Sequence, residues 1–140
     1  MSESSIVIAS ETELSRVARM LLHHASDSKI YCLYGDLGAG KTSLVNAVAR
    51  SLGSVDLTSS PSYSIINEYK LSDGKIYHMD LYRLNRVEEL MDIGLEDYLY
   101  SGEYIFIEWP EIAQPLLPPH HRVKIEVLDN CARNIVFLWK

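Results

Sequence analysis

Two glycines five positions apart, followed at once by a lysine and a threonine, are the residues of this chain best suited to chemistry. They lie in the stretch LYGDLGAGKTSL, as Gly35-x-x-x-x-Gly40-Lys41-Thr42. Glycine spacing of this kind lets consecutive backbone N–H groups close around a phosphate. A helix starting near Lys41 would add the positive end of its dipole. Lys41 has the reach for β- and γ-phosphates, and the Thr42 hydroxyl is a ligand for Mg²⁺. The expected phosphate-binding set is therefore Gly35, Asp36, Leu37, Gly38, Ala39, Gly40, Lys41, Thr42 and Ser43.

A site of this kind needs an acid at the end of a neighbouring buried strand, within reach of the metal. Two residues qualify. Glu108 ends the apolar run YIFIE, and Asp80 ends KIYHMD, where alternation puts His78 and Asp80 on one face and Tyr77 and Met79 on the other. One acid suits metal binding and the other suits orienting an attacking water; spacing leaves the division open. His78 reads as a partly exposed strand residue. Trp109 follows Glu108 directly, and composition favours a core tryptophan over one beside the site. A third group is the hydroxyl-rich segment around Ser60, Ser62 and Ser64, placed where switch segments sense a γ-phosphate.

The elements that must position these residues follow from periodicity. An apolar run at residues 29–34 reads as a strand covered on both faces, and residues 41–53 as a helix stopped by Gly53. Residues 4–10 form a short β-rich run. Residues 10–25 form an amphipathic helix, opened by a capping box of Ser10 and Glu13. Residues 65–71 and 75–81 read as a hairpin, 86–99 as helical, and 103–109 as a second buried strand. Four prolines make 110–119 irregular, and two strands joined at Asp129-Asn130 close the chain. The fold class expected is a single α/β domain over residues 1–140, with a mixed central sheet flanked by helices on both faces.

The chain has 140 residues and a net charge of −6. An acidic chain without a Lys/Arg-rich run is poorly suited to gripping a nucleic-acid backbone by itself. The first residues lack a basic and then apolar leader, and no run is long enough to span a bilayer, so a cytoplasmic protein is expected. Cys32 and Cys131 show no metal-like spacing, and Cys32 is expected as a buried reduced thiol.

With these residues placed, the sequence resembles the TsaE (YjeE) family, small bacterial ATPases required for threonylcarbamoyladenosine in tRNA. The segments GDLGAGKTSL, SPSYSIINEY, YHMDLYRL, GLEDYL and IEWPE carry the resemblance, in the family's order and spacing. It implies a P-loop NTPase-like fold binding ATP or ADP with Mg²⁺. It also implies that Lys41 and Thr42 are the phosphate-loop pair, that Asp80 and Glu108 are both functional acids, and that Trp109 lies beside the nucleotide. The family's Ser-Pro-Thr-Tyr-Thr segment reads Ser60-Pro61-Ser62-Tyr63-Ser64 here, with both hydroxyls kept, and its second loop threonine is Ser43. Partners implied are TsaB and TsaD, with tRNA met only through them, and hydrolysis resetting the assembly between turnovers. Two rival readings share the loop. A small-molecule kinase needs an acceptor site and an Arg-rich lid, and a GTPase needs an Asn-Lys-x-Asp segment, which the sequence lacks.

Overall fold

The computed structural model describes residues 2–24, 27–54 and 65–140. Seven strands form one mixed sheet in the order β1-β7-β6-β2-β5-β4-β3. They are β1 (Ser2–Ile8), β2 (Ile30–Tyr34), β3 (Ile66–Leu71), β4 (Gly74–Asp80), β5 (Tyr104–Glu108), β6 (His121–Val127) and β7 (Arg133–Trp139). The middle of the sheet is parallel, with β2 between β6 and β5 and with β5 beside β4. The antiparallel pairs β1–β7, β6–β7 and β3–β4 flank it. Parallel strands buried on both faces read as continuous apolar runs, and Ile30–Leu33 and Ile105–Ile107 have that form.

Two hydrophobic clusters cover the two faces. Helices α1 (Leu14–His23) and α2 (Lys41–Ser51) pack on one, where Leu21, Leu44, Val48, Phe106 and Phe137 are all fully buried. Burying each such side chain contributes about 1.5–3 kcal/mol. Helices α3 (Val87–Asp92) and α4 (Leu95–Leu99) supply Leu90, Leu95 and Leu99 to the other, against Met79, Ile105 and Ile107. The expected α/β class with helices on both faces is what the structure has.

Local details differ from the expectation in four places. The first turn before α1 winds as a 3-10 helix, Glu11–Glu13. In this tighter turn Glu13 accepts from the Ala9 N–H at 2.6 Å, one residue before Ser10, while the Ser10 hydroxyl pairs with Thr12. The helical stretch at 86–99 splits in two because Gly94 takes φ +74°, a left-handed conformation that ends α3 and starts α4. The proline-rich stretch is a 3-10 helix, Pro110–Leu116, since Pro110 at its start needs no N–H partner there. The closing turn places its positive φ at Cys131 (66°), with the Asn130 side chain accepting from the Ala132 N–H. Both cysteines are free, and burial pushes the Cys32 thiol up to about 12.

At the opposite end of the sheet from the glycine loop, His121 is fully buried beside Tyr31, Trp139 and His24. Its Nε2–H donates to the Ser28 carbonyl at 3.1 Å, and its Nδ1 accepts from the Lys140 N–H at 2.9 Å. Both nitrogens are satisfied in the neutral ring, and a proton on Nδ1 would face another donor. Burial lowers the His121 pKa below its ordinary 6.5, although the Ser28 bond acts in the other direction. A depressed folded value means that this contribution to stability is complete above pH 6.5 and is lost as the pH falls through the folded value. Thermal unfolding followed from about pH 8 to about pH 5 should show this decline, with a flatter profile in His121→Gln.

Candidate nucleotide site

The strand register brings the two candidate acids together. Leu33 on β2 pairs with Glu108 on β5, and Glu108 pairs with Asp80 on β4. Register neighbours on parallel strands point to the same face. Here that is the face covered by α2, whose first residues follow the glycine loop. The site thus sits at the carboxyl ends of the central strands, where open α/β sheets place their ligand crevices.

The loop itself is shaped by its glycines. A Cβ on Gly35 would lie 2.8 Å from the Ile125 carbonyl oxygen, so strand β6 admits no side chain there. Gly40, at φ +115°, turns the chain into α2. The first-turn N–H groups of α2 have no carbonyl partner within the helix and face the loop. Lys41 is only 5% exposed, and its Nζ donates to the Gly35 carbonyl at 2.7 Å and lies 3.9 Å from the centre of the Trp109 ring. Burial pulls the Lys41 ammonium below the usual lysine range, while the charges of Glu108 and Asp80 act the other way.

Thr42 Oγ1 donates to Glu108 Oε2 at 2.9 Å, and His78 Nε2 lies 2.5 Å from the same oxygen. Glu108 is buried. Burial alone would raise its pKa; the bonds from His78 and Thr42 and the charge of Lys41 outweigh that and hold the carboxyl below the ordinary range. Asp80 is half-buried, and its Oδ1 accepts from the Tyr82 N–H at 3.0 Å.

These side chains share a cleft of about 280 Å³. Leu37, Gly38, Gly40, Lys41, Thr42, Ser43, Asp80, Glu108 and Trp109 line it, together with Glu11. Gly35, Asp36 and Ala39 face a neighbouring cleft against β6 and β7. Trp109 is no core residue. It takes a left-handed backbone (φ 55°), contacts Tyr82 and covers Lys41. Ser60, Ser62 and Ser64 lie outside the described residues.

The chain matches the family model described as threonylcarbamoyl adenosine biosynthesis protein TsaE over residues 8–135. It belongs to the TsaE family. Among similar proteins, the TsaE of Haemophilus influenzae is 39% identical over 122 residues, covering 86% of this chain and 77% of that protein. The TsaE of Rickettsia felis is 38% identical, covering 91% of this chain and 75% of the relative. The TsaE of Bacillus subtilis is 32% identical across 89% of this chain and 78% of its own length. The crystal structure of Bacillus subtilis YdiB superposes with a TM-score of 0.80 at 26% identity, covering 97% of this chain and 84% of that one. The fold is P-loop NTPase-like.

Two residues at this TsaE-family site have no functional role in the sequence reading, which takes His78 as a strand residue and does not reach Arg133. His78 is fully buried rather than partly exposed, because Tyr69 of β3 and Phe106 and Glu108 of β5 surround it on the face of β4 it shares with Asp80. Arg133 donates from Nε to the Ala39 carbonyl at 2.8 Å and from Nη1 to the Cys131 carbonyl at 3.1 Å, tying the closing hairpin to the glycine loop. The alternation was a usable signal for His78. Nothing local marks Arg133, which lies 94 residues from its loop partner.

Proposed function

We propose that this chain is the ATP-binding and ATP-hydrolysing subunit that supports TsaB and TsaD in forming threonylcarbamoyladenosine in tRNA. The observation that carries the reading is the meeting of Lys41, Thr42, Asp80 and Glu108 in one cleft at the start of α2. Family membership supports the pathway.

The donor set fits Mg²⁺ with a triphosphate: a hydroxyl and two carboxylates, hard oxygen ligands, beside a buried ammonium. Thr42 and Glu108 would hold the metal, which when bound neutralises charge on the phosphate oxygens. Lys41 would leave the Gly35 carbonyl and the Trp109 ring to meet the β- and γ-phosphates, and the α2 N–H groups would cradle them. Asp80, half-buried and bonded to the Tyr82 N–H, would orient the attacking water. Trp109 would shield the cleft from bulk water.

Turnover by the chain alone is expected to be slow. Of the arginines, Arg133 is bonded to the loop, but its Nε and Nη1 are committed to backbone carbonyls and its Nη2 pairs with the Glu11 carboxylate at 3.5 Å. An arginine finger normally supplies about 10³–10⁵ in rate, so partners have much to add. The acidic chain would meet tRNA through those partners, in the cytoplasm.

Tryptophan emission tests the nucleotide reading directly, because Lys41 rests on Trp109 and a bound phosphate would draw it off. Titration with Mg-ATP should change the emission, GTP should act more weakly, and Trp109→Phe should lose the response. An unresponsive wild-type protein would contradict the site, and transfer of the γ-phosphate to a nucleoside or sugar would favour a kinase.

A further inference from the structure

Behind the cleft lies a polar chain that the proposed chemistry does not use. His78 Nδ1 is 3.3 Å from the Tyr69 hydroxyl on β3, and Nε2 is 2.5 Å from Glu108 Oε2. Asn67 Nδ2 reaches the same Tyr69 oxygen at 3.4 Å. His78 has no exposed surface, and Phe106 is its register neighbour. An imidazole buried at such a place is costly unless both ring nitrogens are satisfied. A carboxylate only accepts, so Nε2 carries a proton toward Glu108, and Nδ1 is left to pair with the Tyr69 hydroxyl. Thr42 donates to the same Glu108 oxygen from the other side.

A free glutamate side chain has three rotatable bonds, and ordering it for a ligand costs entropy at the moment of binding. Here that ordering exists in advance. We infer that His78, supported by Tyr69, is the positioning residue that holds Glu108 Oε2 against Thr42 and so fixes the carboxylate for the divalent cation of a bound nucleotide. The inference rests on the proposed assignment of Glu108 to that cation. His78 itself is behind Glu108 and acts only through it.

The test compares His78→Leu, which removes the donor, His78→Gln, which keeps an N–H donor, and Tyr69→Phe, which removes only the hydroxyl. Binding of mant-ADP is measured in EDTA and across a Mg²⁺ titration. Removing an outer partner of a metal-binding group typically weakens metal affinity by about 10–100-fold. His78→Leu should therefore bind mant-ADP as the wild type does in EDTA but need about 10–100-fold more Mg²⁺ for half-maximal strengthening. His78→Gln should recover most of the loss, with Tyr69→Phe between. In the protein free of nucleotide and metal, the imidazole of ¹⁵N-histidine-labelled wild type should give a slowly exchanging N–H proton signal that Glu108→Gln shifts.

A folded His78→Leu with the wild-type Mg²⁺ requirement overturns the inference, as does a His78→Gln as impaired as the leucine variant. Should His78→Leu fail to fold, an unchanged Mg²⁺ requirement in Tyr69→Phe overturns it. A wild-type protein whose mant-ADP binding ignores Mg²⁺ removes the proposed function as well, which separates the two failures.

Discussion

Lys41→Ala should reduce ATP hydrolysis by about 10²–10³-fold or more, the loss expected when one preorganised donor to a developing charge is removed. Two features make the effect large. The ammonium is buried, so its attraction for phosphate oxygens is little screened by water. The cleft also holds Glu108 and Asp80, and without Lys41 a polyphosphate would meet two carboxylates with a major counter-charge missing. Folding should be nearly indifferent. Burial already disfavours the Lys41 cation, its hydrogen bond is to one carbonyl, and Glu108 keeps both Thr42 and His78. Steady-state hydrolysis and a thermal melt on the same sample check both halves. A variant that loses hydrolysis by unfolding would not support the account.

Glu108→Gln should have a comparable effect on hydrolysis, about 10²-fold, for a different reason. The amide keeps the size of the side chain and an oxygen to accept from Thr42 and His78, but it offers a divalent cation no charge. Its stability carries a pH signature. The folded carboxyl is held below its ordinary value of 4.5. The stabilisation it provides is therefore complete above pH 4.5 and is lost as the pH falls through the folded value. Melting curves of wild type and Glu108→Gln should differ most near neutrality and draw together on acidification below pH 4.5. A constant gap across that range would mean that the carboxylate is not stabilised as its bonds imply.

The site was legible to the degree that it is local. The phosphate loop is eight contiguous residues, Gly35 to Thr42, whose glycines are fixed by backbone geometry, and an alternating and an apolar run, each ending in an acid, announce β4 and β5. What pattern could not give was the register. Only the pairing of Asp80 with Glu108, and of Glu108 with Leu33, shows that both acids meet the loop. Composition alone favours a core Trp109 and only the resemblance puts it beside the site, because the left-handed backbone that swings its ring over Lys41 has no composition signal. His78 was misplaced because alternation assigns a face but not what covers it. Gly94 dividing α3 from α4 was visible as a glycine, yet the same residue is tolerated inside many helices.

The most direct measurement is ATP hydrolysis by the purified chain, alone and with TsaB and TsaD from the same source. Slow turnover is expected for the chain alone, a rise when the pair is added, and background rates throughout for Lys41→Ala. A rate that the TsaB–TsaD pair leaves unchanged would contradict the proposed role, even if ATP is bound and cleaved.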